Sequence, residues 1–134
     1  MDMKILAIDH GEKRIGMAIS DELGITAKAL PTIQVNNEDF AIKQIIETLF
    51  SLNCETILVG IPSGYGGKDS RQTTIVRNFI RKLKLLTNSP IIEWDETYSS
   101  KIASQNIKGK KKINLDSEAA KVILLEYLRS QSSD

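Results

Sequence analysis

The hydrophobic positions in residues 4–20 predict two paired strands. Residues 5–8 form a short apolar run that ends in the turn-forming segment 9–13. In residues 14–20 the apolar side chains occupy every second position, which is the spacing of a half-buried strand. Because only a short turn separates the two runs, they predict an antiparallel hairpin.

The rest of the chain is expected to add further strands and helices. A third strand is expected within residues 25–35, where Pro31 favours an edge position or a break in pairing. Short apolar runs predict two more strands, at 56–61 and 90–96. Apolar residues at helical spacing predict three helices, at about 38–52, from about 71 and from about 116.

The predicted order of elements is βββ-α-β-α-β-α. A leading hairpin followed by alternating strands and helices gives a central mixed five-stranded sheet with helices on both faces. The length of 134 residues fits one domain, and the sequence contains neither an internal repeat nor a linker. We therefore expect a single α/β domain over residues 1–134.

Charge and cysteine content limit the function classes only slightly. Lys and Arg number 18 against 17 for Asp and Glu, so any nucleic-acid surface must arise from local clustering. The single cysteine, Cys54, excludes an intrachain disulfide, and its place before an apolar run predicts a buried, inert thiol. With no signal-peptide core and no run of membrane-spanning length, we expect a cytoplasmic protein without a membrane partner.

Acidic side chains fall at the ends of the predicted elements. In α/β sheets, sites collect outside the carboxyl ends of parallel strands, and carboxylates that meet there repel one another unless a cation neutralises them. Hard oxygen ligands on an open edge suit Mg²⁺ or Mn²⁺, which can activate water for phosphodiester cleavage. The set comprises Asp9 after the first strand, Asp95 and Glu96 at the end of the last strand, and Asp116 at the start of the last helix.

Each of these residues also has a simpler interpretation. Asp9 can merely shape a turn, and Asp116 or its neighbour Ser117 can merely cap a helix. A strand-end pair such as Asp95 and Glu96 is often only solvated. Successive strand residues point to opposite faces, so one of this pair is expected to reach a shared site, and periodicity alone does not decide which.

Four segments, in order along the chain, resemble the sequence blocks of the YqgF/RuvX family. The segments are IDHGEKRIGMAIS at 8–20, VGIP at 59–62 with the glycine-rich stretch after it, WDETYSS at 94–100 and DSEAA at 116–120. The four segments run from residue 8 to residue 120, and the resemblance, taken over residues 4–128, covers nearly the whole chain.

The resemblance implies an RNase H-like fold and a nuclease of the bacterial or organellar cytoplasm. The activity implied is 5′-end processing of pre-16S rRNA in ribosome biogenesis, and an older label for the family is Holliday junction resolvase. The resemblance also implies an acidic catalytic centre of Asp9, one or both of Asp95 and Glu96, and Asp116. In that centre, Mg²⁺ or Mn²⁺ would be held by Asp9, Glu96 and Asp116.

Two positions depart from the family pattern. His10 stands where the family often has an aromatic residue, and we expect it to serve the turn rather than to contact phosphate. Thr97 stands where the family usually has an arginine after Asp-Glu. An arginine there can pair with a carboxylate or a substrate phosphate, and threonine cannot replace that charge. The departure at Thr97 therefore concerns substrate binding more than metal binding.

Basic residues near the acidic set are candidates for nucleic-acid binding. They are Lys13 and Arg14 just after the first acidic residue, and Lys110, Lys111 and Lys112 just before the last one. A run of charges on one loop can bind phosphates or can simply be solvated, and the sequence leaves both open. The expected partner is structured nucleic acid, either pre-rRNA or branched DNA, and the protein itself is expected to be a monomer or a weak homodimer.

Three other functions remain compatible with the sequence. A Holliday junction resolvase in DNA repair would use the same acidic centre. A non-catalytic RNA-binding factor for ribosome assembly would keep the fold with weak chemistry, as Thr97 allows. A nucleotide-hydrolysing protein of the actin and sugar-kinase type also uses a strand-Asp-x-Gly hairpin, but such proteins close two of these domains around the nucleotide.

Overall fold

The computed structural model describes residues 4–11, 13–62, 71–95 and 115–132. Within these ranges the elements follow the predicted order βββ-α-β-α-β-α. They are β1 (Ile5–His10), β2 (Arg14–Ser20), β3 (Ala27–Gln34), α1 (Glu38–Ser51), β4 (Thr56–Ile61), α2 (Arg71–Leu86), β5 (Ile91–Asp95) and α3 (Leu115–Ser132). None of the three described helices is long and apolar enough to span a membrane.

The five strands form one mixed sheet in the order β3-β2-β1-β4-β5. β1 pairs antiparallel with β2, and β2 pairs antiparallel with β3. β1, β4 and β5 run parallel to one another. The carboxyl ends of these three strands therefore lie along one end of the sheet, where the antiparallel β2 begins.

β3 lies at the edge of the sheet and interrupts its own pairing. Its register with β2 shifts between the pairs Ile15–Ile33 and Met17–Leu30, so β3 has one more residue than β2 across this interval. Pro31 falls within the shift, where its missing N–H costs no regular ladder hydrogen bond. Both consequences expected of Pro31, an edge strand and a break in pairing, are confirmed.

Helices cover both faces of the sheet, as the sequence predicts. On one face, α1 and α2 pack against alternate residues of β1 and β4; the fully buried members include Leu6, Ile8, Ile45, Val59 and Phe79. On the other face, α3 packs against the intervening residues; its core includes Ala7, Ala18, Leu58, Ile123 and Leu124. Small residues at 7 and 18 let α3 lie close to the sheet, which brings its first turn near the strand ends.

Cys54 is buried beneath α1 and has no disulfide partner. Burial in the core raises the pKa of its thiol to about 11, because the thiolate would lose its hydration. The thiol is therefore protonated at neutral pH, and the expected burial of Cys54 is confirmed.

Candidate functional site

Asp9 lies near the carboxyl end of the central strand β1, on the face that α3 covers. Only 9% of its surface is exposed. Side chains alternate along a strand, and Ala7, two residues earlier, packs in the α3 core. Ile8 belongs to the opposite core. The alternation therefore directs the Asp9 carboxylate toward α3.

Gly16 is the residue directly opposite Asp9 in the antiparallel pair of β1 and β2. A Cβ built on Gly16 would lie 2.0 Å from both the carbonyl carbon and the oxygen of Asp116, and 2.5 Å from the amide nitrogen of Ser117. The backbone of α3 thus occupies the space that any other residue at position 16 would need. Because residues paired across strands share a face, the missing side chain brings Asp116 to the part of the sheet that carries Asp9.

Ser117 holds the first turn of α3 in this position. Its side chain is completely buried, and its Oγ accepts a hydrogen bond from the backbone N–H of Met17 at 3.2 Å. A second hydrogen bond of 2.9 Å joins its hydroxyl to that of Thr32, which lies in the register shift of β3. The shifted strand thus provides partners for a buried serine beside Asp116.

The start of α3 differs from the expected one. The helix begins at Leu115, so Asp116 and Ser117 lie in its first turn and neither is the residue before the helix. The expected capping role is therefore wrong for both residues. A carboxylate in the first turn still benefits from the helix dipole, and the side chain of Asp116 remains 25% exposed.

We expect Ser117→Ala to destabilise the fold by about 1–3 kcal/mol, because the buried N–H of Met17 would lose its acceptor. Urea denaturation measures the change. Thr32→Val provides the matched control, since it removes one partner of the same hydroxyl but leaves the hydrogen bond from Met17 intact. We expect a smaller loss for the control, and equal losses in both variants would contradict the anchoring role of the Met17 hydrogen bond.

Arg14, the first residue of β2, forms an ion pair with Asp116. Its Nε lies 3.1 Å from Oδ2 of Asp116, and 48% of the arginine side chain is exposed. Arg14 shares the α3 face with Gly16, two residues along the strand. The sequence predicts Arg14 as a nucleic-acid contact, and the structure adds a carboxylate partner within the acidic set.

The turn between β1 and β2 places the basic residues at the same end of the sheet. A Cβ at Gly11 would lie 2.4 Å from the carbonyl oxygen of Arg14, so the turn closes only around glycine. The carbonyl of Lys13 accepts a hydrogen bond from the backbone N–H of Val35, and the Lys13 residue is exposed. Lys13 and Arg14 therefore both lie beside the strand end that carries Asp9.

Asp95 lies on the other face of the sheet. Ile91 of β5 packs against the α1–α2 core, and Glu93 pairs with Arg77 of α2 at 4.0 Å. Trp94 points the other way and contacts the ring of Tyr127 in α3 edge-on. Because every second residue of a strand lies on the same face, Asp95 shares the face of Ile91 and Glu93. The structure therefore does not bring Asp95 to the face shared by Asp9 and Asp116.

His10 also lies on the face opposite Asp9. Its ring centroid is 4.6 Å from that of Phe79 in α2. The contact gives His10 a packing role at the end of β1, away from the acidic pair.

The remaining candidates lie outside the described residues: Glu96, Thr97, Lys110, Lys111 and Lys112. In the part of the chain that the structure describes, no three His, Cys, Asp or Glu side chains group closely enough to hold a metal ion. Among the described candidates, Asp9 pairs with Gly16 across the strands, the backbone of Asp116 lies against Gly16, and Arg14 pairs with Asp116.

Sequence reasoning missed the residues that assemble this site. Gly16 and Ser117 do no chemistry, yet they determine where Asp116 lies. A signal for Gly16 was present: the hairpin strand has glycine and alanine at 16 and 18 on one face, a pattern typical of close approach by another backbone. No comparable signal identifies Ser117, whose partners are far away in the sequence.

Comparison with known sequences gives one family. A family model described as "RuvX: Holliday junction resolvase" matches residues 3–130. A relative from Syntrophus aciditrophicus is 35% identical over 138 residues, covering 98% of this chain and 92% of that protein. A relative from Clostridium acetobutylicum is 37% identical over 134 residues, covering 96% of this chain and 99% of that protein. Both relatives carry the name "Putative pre-16S rRNA nuclease".

Comparison with solved structures gives the fold. RuvC from Thermus thermophilus, in complex with a Holliday junction substrate, has a TM-score of 0.61 at 14% identity, covering 98% of this chain and 96% of that chain. Fowlpox virus resolvase, in complex with Holliday junction DNA, has a TM-score of 0.58 at 19% identity, covering 98% of this chain and 100% of that chain. The likeness confirms the expected RNase H-like fold, with its mixed five-stranded sheet and helices on both faces.

Proposed function

Because the chain belongs to the RuvX family, we propose that it is a metal-dependent nuclease that hydrolyses phosphodiester bonds in the 5′-end processing of pre-16S rRNA. The observation that carries this proposal is the meeting of Asp9 with the first turn of α3 across Gly16. Gly16 thus lies between Asp9 and the backbone of Asp116, at the carboxyl end of a parallel strand pair, where α/β proteins build their sites. Action on a ribosomal RNA precursor would place the protein in the cytoplasm.

The donor chemistry of the site fits a hard divalent cation. Asp9 and Asp116 flank Gly16 on one face, where their carboxylate oxygens would favour a cation that binds both. We assign Glu96 as the third carboxylate, from the family resemblance and because Asp95 lies on the other face. The ion in our proposal is Mg²⁺ or Mn²⁺, both of which prefer oxygen ligands.

The chain's own residues then have distinct roles in cleavage. Asp9, Glu96 and Asp116 would hold the cation, and Lys13 and Arg14 would draw the phosphate backbone to the same end of the sheet. The chemistry that the bound cation supplies is activation of the attacking water and neutralisation of charge on the phosphoryl oxygens. Burial of Asp9 would strengthen its electrostatic interaction with a bound cation, because little water screens it.

Lys110, Lys111 and Lys112 extend this basic surface in our proposal. The covalent chain limits Lys112 to within about 11 Å of Leu115, the first residue of α3, because each residue spans at most roughly 3.6 Å. Phosphates that approach the acidic site would therefore pass close to at least part of this run. Such charges act on a phosphate that comes within about one Debye length, roughly 8 Å at physiological salt, and are largely screened beyond it.

Replacing Lys110, Lys111 and Lys112 together with Gln is expected to weaken RNA binding similarly for all sequences. Each lysine that contacts a phosphate releases counterions, so the slope of log affinity against log salt should flatten by about 0.7 per contact. The measurement is RNA affinity at several salt concentrations. The control variant changes the exposed Lys28, Lys43 and Lys84 to Gln, which alters net charge equally. Equal slopes in the two triple variants would show that the run is only solvated.

The direct test of the proposed function is cleavage by purified protein. We expect cleavage of an RNA that carries the 16S 5′ end with its precursor extension, in Mg²⁺ or Mn²⁺ and not in EDTA. RNA binding without cleavage in either metal would instead identify a non-catalytic assembly factor.

A junction-cutting nuclease is the second candidate, favoured by the description of the matching family model as a Holliday junction resolvase. Symmetric cutting of a four-way junction needs two active centres and therefore a twofold homodimer. Dimerisation on junction DNA, together with paired symmetric cuts, would favour this activity over rRNA processing. A monomer that cuts only the RNA would exclude it.

A further inference from the structure

The ion pair between Arg14 and Asp116 joins a mobile group to a fixed one. Asp116 is held by the contact of its backbone with Gly16 and by the buried hydroxyl of Ser117. The backbone of Arg14 is held in β2, where it pairs with Gln34 of β3. The arginine side chain, in contrast, is long and 48% exposed. Its guanidinium can therefore swing to a new partner, whereas the carboxylate cannot follow it.

The contact is also weak enough to be exchanged. Arg14 approaches Oδ2 of Asp116 through Nε at 3.1 Å. A pair this exposed to solvent typically changes an equilibrium constant by less than about fivefold. A guanidinium carries five N–H donors, so the Nε contact does not exhaust what Arg14 can bind.

A divalent cation and the guanidinium compete for the same carboxylate. The cation carries twice the charge and prefers carboxylate oxygen, so it can displace a solvent-exposed arginine from Asp116. Once displaced, Arg14 stands as a positive charge at the strand end where the phosphate backbone would arrive. Arginine is well suited to that second partner, because its planar fork matches phosphate oxygens.

We infer that Arg14 is an exchangeable counter-cation of the acidic site, which neutralises Asp116 until a divalent ion takes that carboxylate and then transfers to a substrate phosphate. The inference rests on the proposed function and makes Arg14 a positioning residue that couples metal loading to nucleic-acid binding. If Arg14 only bound phosphate, replacing it would leave the affinity of the site for metal unchanged.

The first test measures Mn²⁺ affinity without nucleic acid, by electron paramagnetic resonance or titration calorimetry. Arg14→Gln should bind Mn²⁺ about 3- to 10-fold more tightly than the unmodified protein, because it removes both a competitor and a nearby positive charge. Arg14→Lys keeps the charge and should bind close to the original affinity. Asp116→Asn should bind at least about tenfold more weakly.

Arg77→Gln is the matched control for these measurements. Arg77 also pairs with a carboxylate, Glu93, and its side chain is 49% exposed, but it lies on the opposite face of the sheet. The control should leave Mn²⁺ affinity unchanged. A gain in the control equal to that of Arg14→Gln would mean that net charge alone acts, and would overturn the inference.

The second test is a double-variant cycle of RNA affinity in EDTA, where neither metal nor cleavage intervenes. Asp116→Asn should release Arg14 and raise RNA affinity by about two- to fivefold. In the Arg14→Gln background, Asp116→Asn should raise RNA affinity by a smaller factor, because no guanidinium is left to release. Equal gains in both backgrounds would overturn the transfer to phosphate.

The outcomes separate the inference from the proposed function. If Asp116→Asn loses Mn²⁺ binding and Arg14→Gln binds Mn²⁺ more tightly, the metal site and the exchange of Arg14 both stand. If Asp116→Asn loses Mn²⁺ but Arg14→Gln binds with unchanged or lower affinity, the metal site stands and the exchange is wrong. If neither the unmodified protein nor Arg14→Gln binds Mn²⁺, the proposed metal site fails, and the exchange fails with it.

Discussion

Asp9→Asn is expected to abolish cleavage while the protein stays folded. The amide keeps the shape of the side chain but removes the charge that attracts a divalent cation. Metal assistance contributes several kcal/mol to phosphodiester cleavage, and each 1.36 kcal/mol is a factor of ten in rate. We therefore expect kcat to fall by about 1,000-fold or more, measured on the RNA substrate in Mg²⁺ and in Mn²⁺.

Stability and the control variant decide how this loss is interpreted. Asp9 and Asp116 both lie beside Gly16, so removing one of these two like charges should not lower the free energy of unfolding substantially. Asp95→Asn is the matched control, because Asp95 is the last residue of β5 and lies on the opposite face. We expect Asp95→Asn to keep most of the activity. Near-normal rates for Asp9→Asn would show that Asp9 does not hold a catalytic cation.

Gly16→Ala is expected to have the largest effect on the assembly of the site. The added Cβ would lie 2.0 Å from the carbonyl group of Asp116, and this neighbour is helix backbone that cannot rotate away. Either α3 or β2 must shift, and such overpacking costs about 1–3 kcal/mol, occasionally more. Since the shift moves Asp116 away from Asp9, Mn²⁺ affinity should fall together with stability.

Gly24→Ala separates a local glycine effect from this contact. Gly24 has a φ of +68°, which alanine adopts with strain, but a Cβ there would meet only the side chain of Leu128 at 3.7 Å. Strain of this kind costs about 1 kcal/mol and leaves the acidic site in place. Urea denaturation and Mn²⁺ titration measure both variants. Gly16→Ala with normal stability and normal Mn²⁺ affinity would contradict the close packing of α3 on β2.

The strands and helices could be predicted because their signals are local. The alternation of apolar residues in 14–20 and their helical spacing in 38–52 can each be recognised from a short stretch of sequence. Both segments form the expected elements. Pro31 acts just as locally, through the N–H that it lacks. The helix that begins near Asp116 is also found, although its start lies at Leu115.

The geometry of the acidic site could not be predicted, because contacts between distant residues build it. Whether Asp95 shares a face with Asp9 depends on the register of β5 against β4 and of β4 against β1. Arg14 and Asp116 are separated by 102 residues, so local patterns identify the charges but not the pair. Placement at element ends and the family resemblance identified the acidic residues, and the structure places Gly16 between Asp9 and the backbone of Asp116.

The measurement that tests the central claim most directly is a crystal structure of the protein soaked in Mn²⁺, with anomalous scattering to locate the ion. Our account predicts an Mn²⁺ peak between the carboxylates of Asp9 and Asp116, with Glu96 as a further ligand and the guanidinium of Arg14 displaced from Asp116. No peak at this position under saturating Mn²⁺, with Asp9 and Asp116 well ordered, would contradict the account.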